Sequence, residues 1–467
     1  MTAAGERKGG RSRVTVVAKS TAVSVKPVRA GKTHPLSAPD HAMGRHTLRL
    51  VYYYRPSPAL DRERLKDSLS EVLSYYPAMT GRLTWQHQDP QDEDAGAGAG
   101  GWVVKCNDAG VRTVDARADA TLEEWLRTAS DEEEMELAYW EPMGPEPYLW
   151  SPYYIQITEF KDKGYGVGVS CTHMHGDPTC VALFLKAWSD AHRRAVLAHH
   201  PFFQPTAFHD PPPPPAPADQ SNPRYPPPPL LSLKSADTNS PPPSSAFSSA
   251  TFRFSSASLR RALSDLSVQT PDTPSPFAAL ASLFWLRIAR ARVRDDEAEG
   301  EAALTLGVDF RKRMSAPLPM GYYGNAVFFS RARADLARGW AHAAAELDRH
   351  VAALEEGRDV WAHAQWLRAR PRDAPFQMYG PELTCVALDH VPVYAAEFEP
   401  RVAPAHAALR IGGAEGEGLI VVAPAPPEAG DAARTVTVTL PSELTAQICR
   451  DDHILRYGPT IMFGPKI

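Results

Sequence analysis

The chain has 467 residues, 43% of them hydrophobic and 22% charged, with a formal net charge of -5. That length exceeds one compact core and predicts two domains of ordinary size, while the mild acidity gives no reason to expect nucleic acid as a partner. No apolar run approaches the roughly 18 residues of a membrane span, and the N-terminus has no signal-peptide core, so membrane association is expected to be peripheral or through a partner. The five cysteines, at 106, 171, 180, 385 and 449, are odd in number and scattered without a CxxC pair, which fits a reducing compartment better than a disulfide framework.

Residues 1–35 read as a basic arm, with Arg7, Lys8, Arg11, Arg13, Lys19, Lys26, Arg29 and Lys32. A transit peptide would need an amphipathic helix, whereas Val14–Val17 and Ala22–Val25 read as strands. Asp61–Ser74 is predicted to be a helix with Leu65, Leu69, Val72 and Leu73 on one face, and Gly101–Cys106 a strand entering the turn Asn107–Gly110. Tyr154–Phe160 and Tyr165–Ser170 alternate as a hairpin would. Thr179–Arg194 reads as a long helix buried through Val181, Phe184, Leu185 and Trp188.

Between Pro201 and Pro243 lie 16 of the 45 prolines. Proline fixes φ and has no backbone donor, so residues 201–247 are expected to form an extended linker between residues 36–200 and 248–467. A docking site for a proline-recognising module is the less economical reading. The second half is predicted to run through a strand at Ala250–Phe254, a helix at Ser256–Leu266 and an apolar helix at Pro276–Val293 capped by Ser275. Leu304–Phe310 is strand-like, Gly321–Asn325 turns tightly into a strand at Ala326–Phe329, and Ala334–Leu354 reads as a helix. Gly418–Ala423 and Thr435–Leu440 alternate cleanly as strands. The intermixing without a regular βαβα period predicts an α/β (mixed α+β) fold, its mixed sheets covered by helices in both halves.

The chemistry concentrates at His173 and Asp177, in Cys171-Thr-His173-Met-His175-Gly-Asp177-Pro178. Histidine is the side chain best matched to accepting a proton near neutral pH, and the hairpin before it would hold it in a fixed place. Asp177 could orient the loop by accepting backbone N–H groups or by pairing with a distant arginine. A lone histidine at a strand end is more commonly structural. His173 and His175 with Asp177 also have the look of a metal site, but no further ligand group elsewhere has matching spacing, so no metal is expected. Cys171 and Cys180 flank the motif without a visible activating partner. There is no Gly-x-Ser-x-Gly elbow, P-loop or dinucleotide fingerprint.

Several ordered blocks together resemble the plant BAHD, or HxxxD-type, acyltransferases, which move acyl groups from coenzyme A to alcohols or amines. Leu69–Leu83 is similar to the family's first helix and the turn after it; Gly307–Pro319 with Gly321–Asn325 is similar to its mid-chain block; His173-x-x-x-Asp177 stands where the family has its catalytic histidine. The resemblance implies two similarly built, chloramphenicol acetyltransferase-like domains joined by a long crossover. A channel between them would reach His173 from both faces. It also implies a coenzyme A thioester as co-substrate, with no permanently bound cofactor, His173 as base, and Asp177 as an organiser paired with Arg311.

Two departures stand out. Pro178 replaces the glycine that usually follows the aspartate, so the turn carrying His173 is expected to change. Where the family has Asp-Phe-Gly-Trp-Gly, this chain has Glu397-Phe398-Glu399-Pro400-Arg401. The eceriferum/glossy wax proteins share that second departure, and Lys105–Arg112, Gln156–Lys161, Met378–Thr384 and Leu388–Tyr394 resemble them most. That branch implies a cytoplasmic monomer, peripheral at the endoplasmic reticulum, that assists the condensing enzyme of the fatty-acid elongase in cuticular wax synthesis. The alternative is an active acyl-CoA-dependent O- or N-acyltransferase using His173 as general base, and a passive scaffold is a third reading.

Overall fold

A computed structural model describes residues 12–26, 31–86, 100–203, 247–270, 272–292, 301–312, 318–354, 360–368 and 377–465. Most of the proline-rich crossover, the first residues of the basic arm and residues 313–317 of the mid-chain block lie outside the described residues. The fold is mixed α/β, as expected, with sheets of six, seven and three strands among the described residues.

The six-stranded sheet runs, from edge to edge, Val14–Ala22, Val111–Ala118, Tyr153–Glu159, Tyr165–Thr172, Thr47–Tyr54 and His406–Gly412. Its neighbours are antiparallel except for the parallel pair Val111–Ala118 and Tyr153–Glu159. The predicted hairpin is its centre: Tyr153 pairs with Cys171 and Glu159 with Tyr165, which brings the chain out of the sheet at Thr172, one residue before His173. The strand His406–Gly412 comes from far along the chain and pairs antiparallel with Thr47–Tyr54. The seven-stranded sheet runs Val327–Asp335, Glu301–Asp309, Thr384–Ala387, Leu419–Pro424, Arg434–Pro441, Phe247–Phe254 and Thr460–Met462. Alternation sets its faces. Val436, Val438 and Leu440 are buried on one side, while on the other the Thr437 and Thr251 hydroxyls hydrogen-bond across the strands at 2.9 Å.

Helix Arg62–Leu73 begins at Asp61, whose carboxylate accepts the Glu63 and Arg64 N–H groups. It packs on helix Pro178–His192, where Trp188 donates its indole N–H to the Leu65 carbonyl at 3.2 Å. Helix Pro276–Arg292, started by Ser275, covers the second sheet, burying Phe277, Leu280, Phe284 and Ile288. The main core is continuous across the two large sheets. It joins Leu50, Tyr52, Val181 and Trp188 to Val386, Val391, Leu419 and Val421, so each sheet supplies part of the other's burial.

Three expectations change. The two N-terminal strands are one, Val14–Ala22, bulged between Val16 and Ala18. Past Ala22 the chain leaves the sheet, because the Ser24 hydroxyl donates to Asp108 and the Val25 N–H donates to the Ser70 carbonyl. The helix predicted from Ala334 starts at Trp340 instead. Residues 330–334 alternate and pair with 302–306, Asp335 caps a short turn, and Gly339, at φ 87°, separates turn from helix. The strands Thr47–Tyr54, Val111–Ala118, Thr384–Ala387 and His406–Gly412 had no sequence-based expectation.

Gly168, in the strand before His173, lies against the chain leaving helix Asp131–Met135, and a Cβ there would overlap the Leu137 carbonyl oxygen. Gly168→Ala is expected to lower stability by about 2–3 kcal/mol, read as a shift of the urea midpoint, because backbone lies on both sides of the collision.

Candidate active site

His173 opens a single 3₁₀ turn, His173–His175, between the strand that ends at Thr172 and the helix that begins at Pro178. The turn is fixed from below and above. The His173 N–H donates to the His46 carbonyl at 2.9 Å, and the His173 carbonyl accepts from Asn325 Nδ2 at 2.8 Å. Asn325 also donates twice to Asp40 Oδ1, at 2.8 Å each from its backbone and side-chain nitrogens. Asp40 in turn belongs to a capping box with Ser37. Residues from two distant stretches of chain, 37–46 and Asn325, therefore hold one backbone turn.

Asp177 does not touch the imidazole. Its carboxylate is fully buried and accepts the Cys180 N–H at 3.1 Å, the Ala326 N–H at 2.9 Å and both terminal nitrogens of Arg311, at 2.8 and 3.0 Å. Arg311 is buried as well, and also reaches Asp309 and the carbonyls of Tyr322 and Gly324. Burial opposes the Arg311 charge, but Asp177 and Asp309 outweigh it and hold its pKa well above the ordinary range. Asp309, likewise opposed by burial, is kept ionised by Arg311 and His390. Asp177 thus clamps the turn of the first half to a guanidinium from the second. Both roles foreseen for it, backbone acceptor and arginine partner, occur at once.

Pro178 is accommodated at the start of the helix that follows the turn. Asp177 is the helix N-cap with extended backbone, at φ -91° and ψ 177°, and Pro178 occupies the first helical position, whose N–H has no helical partner in any case.

The imidazole of His173 has no exposed surface. Burial draws its pKa below the ordinary 6.5, with Asp177 acting weakly in the opposite sense, so the ring is neutral at pH 7 and able to accept a proton. Its Nε2 lies 3.0 Å from the Tyr379 hydroxyl, and the two rings stack at 5.7 Å. Nδ1 has no hydrogen-bond partner among the described residues. Beside them His46 accepts the Met378 N–H on Nε2 at 3.0 Å and places Nδ1 3.2 Å from the Gly412 carbonyl, an arrangement that needs a neutral ring. His46 and Phe329 in turn pack edge-on against the Tyr379 ring.

His175 turns away from His173 and packs edge-on against Tyr153. Among the described residues no group of three or more His, Cys, Asp or Glu side chains is placed to hold a metal ion. All five cysteines are buried and unpaired. Burial raises the thiols of Cys171 and Cys180 above the ordinary 9.0, so neither is a thiolate at neutral pH.

The segment Glu397–Arg401 is folded back on the core. Phe398 is buried, its ring meeting Trp188, His192 and Tyr54 edge-on at 5.3 Å in each case. Arg401 has φ 65°, a left-handed conformation that favours glycine, so the bend is formed here without the residue best suited to it. Tyr379, Asn325, Asp40 and His46 were not singled out for the site. Tyr379 and Asn325 stand in blocks conspicuous in the sequence, but nothing in their spacing brings them to His173.

A family model described as the Transferase family matches residues 12–443. Protein ECERIFERUM 26 of Arabidopsis thaliana is 26% identical over 441 residues, covering 94% of this chain and 95% of the relative. Protein ECERIFERUM 26-like of Arabidopsis thaliana is 33% identical over 174 residues; that match covers 37% of this chain and 39% of the relative's length. Among solved structures, vinorine synthase superposes with a TM-score of 0.69 at 18% identity, covering 95% of this chain and 98% of that one. TRI101 of F. sporotrichioides, solved with coenzyme A and T-2, gives a TM-score of 0.69 at 16% identity over 92% of this chain and 99% of that one. At such identities the structural likeness speaks for the fold.

Proposed function

The chain belongs to the Transferase family of BAHD acyltransferases, and from that premise we propose that it supports very-long-chain fatty-acid elongation for cuticular wax. It does so beside the elongase condensing enzyme, peripherally at the endoplasmic reticulum, rather than by turning over acyl-CoA itself. The observation that carries this reading is Glu397–Arg401: Phe398 anchors the segment in the core, while Glu399, Pro400 and Arg401, the last two exposed, stand where the resemblance leads one to expect two glycines and a tryptophan. Similarity to ECERIFERUM 26 along nearly the whole of both chains supports it.

The clamp of Asp177 by Arg311 favours a second reading, a working transferase that uses His173 on an alcohol or amine with a coenzyme A thioester as donor. Co-expression with a condensing enzyme separates the two. Under the accessory reading, His173→Ala retains the shift of the acyl-length distribution toward longer chains. If that substitution returns the distribution to that of the condensing enzyme alone, and purified protein esterifies an acceptor, the transferase reading replaces it.

A further inference from the structure

A general base must meet the proton it removes at hydrogen-bond distance, and one nitrogen lone pair accepts one donor. At Nε2 of His173 a hydroxyl already stands at that distance. The Tyr379 hydroxyl sits 3.0 Å from Nε2, and both rings are buried. Burial pushes the phenol pKa up, so it stays a neutral hydroxyl facing a neutral imidazole.

The tyrosine is held by more than its ring. Its carbonyl accepts from Gln377 Nε2 at 2.7 Å, and the next residue, Gly380, donates its N–H to the Thr384 hydroxyl at 3.1 Å and accepts the Glu417 N–H at 2.6 Å. Gly380 has φ 102°, and a Cβ there would overlap the Glu415 carbonyl oxygen, so the bend that presents Tyr379 requires glycine. His46 and Phe329 close on the ring edge-on at 4.8 and 5.2 Å. A side chain fixed at both backbone and ring is a built element of the site.

We infer that Tyr379 determines whether His173 acts at all: its phenol holds the position that an acceptor hydroxyl must occupy, and so keeps an otherwise assembled acyltransferase site idle. This rests on reading His173 as a retained base position, and explains why the intact clamp of Asp177 and Arg311 need not mean turnover. The reaction held back is ordinary acyl transfer. The acceptor O–H would pass its proton to Nε2, the new C–O ester bond would form as the thioester C–S bond breaks, and the proton would leave on the coenzyme A thiol.

The test uses purified full-length protein with octanoyl-coenzyme A and 1-hexanol, following free thiol and octanoyl ester, with thermal melts to confirm folding. Wild type is expected to be near background. Tyr379→Ala opens the acceptor place and is expected to raise ester formation at least about tenfold, a modest part of what general base catalysis supplies. The rate should increase with pH as a histidine loses its proton, and the double variant with His173→Ala should return to the wild-type rate. Tyr379→Phe keeps the ring and removes only the hydroxyl; it is expected to release coenzyme A by hydrolysis several-fold faster than wild type without forming ester. The inference is overturned if a folded Tyr379→Ala gains nothing, if its gain survives His173→Ala, or if wild type already matches it. Should Tyr379→Ala fail to fold, Tyr379→Phe decides alone, and no gain in hydrolysis overturns it. Acyl length in co-expression with a condensing enzyme reads the accessory role separately, so either conclusion can fail without the other.

Discussion

Arg311→Ala is expected to destabilise the protein by about 3–5 kcal/mol in urea unfolding at pH 7.5, the cost of leaving a buried carboxylate without its partner. Asp177 and Arg311 are 0% and 2% exposed, so water cannot take over the lost contacts. The guanidinium serves two carboxylates and two carbonyls at once, and its removal leaves Asp309 with His390, Thr179 and the residue 311 N–H, but Asp177 with only two backbone N–H groups. Arg311→Lys should recover only a part, because one ammonium cannot match both oxygens of Asp177 side on. The double variant Asp177→Ala/Arg311→Ala should lose clearly less than the sum of the singles, since removing both charges leaves neither stranded. Additive losses would mean the pair is not coupled as its geometry requires.

Acid should unfold this protein early. His46, His175 and His406 are held neutral by burial, their pKa drawn down from 6.5 to about 3, and His363 to about 4. A histidine whose pKa is depressed by folding contributes stability that is present above its unfolded value and lost as pH falls toward the folded one. The window therefore opens just below pH 6.5. Glu134 runs the other way: burial, opposed by Arg410, raises it to about 7, so it favours the folded state below its unfolded value of 4.5 and loses that contribution as pH rises through 7. Four histidines against one glutamate leave a net loss on the order of 4 kcal/mol between pH 7 and 5.5, a large share of a typical domain's stability. A circular-dichroism titration should show a cooperative acid transition well above pH 4. His406 offers the sharpest check, because neither ring nitrogen has a partner among the described residues and the ring packs against both Tyr53 and Phe463. His406→Phe should move the transition to lower pH; an unchanged midpoint would show that this histidine is not among the groups that titrate.

Local signals made much of the fold legible. Period-two alternation marked the hairpin Tyr153–Thr172, and Asp61 and Ser275 marked helix starts where their side chains do cap. The spacing of His173 and Asp177 was readable because one strand end and one helix start place both. Their links across the chain were not. Tyr379 lies 206 residues from His173, and Asn325 lies 285 from Asp40, so no periodicity or turn rule connects them. The resemblance to a family supplied Arg311, and nothing in composition would have. Where alternation is masked by arginine and alanine, at 330–334, the strand reads as ending too early, at Phe329, and helix propensity begins the next helix at Ala334 instead of Trp340.

The strand His406–Gly412, seated against Thr47–Tyr54, imposes an order on how the protein comes into being. A ribosome finishes the first five strands of that sheet long before it reaches residue 406, and at roughly 5–20 residues per second the wait is on the order of tens of seconds. Throughout that interval Thr47–Tyr54 is a nascent edge with its outer N–H and C=O groups unpaired, the kind of template that recruits other chains. Truncated messages and stalled ribosomes would leave the same edge permanently uncovered. Expression of the whole chain with slow synthesis or with chaperones that mask strand edges is thus the natural route to folded material, and an isolated first half is a poor vehicle for studying His173.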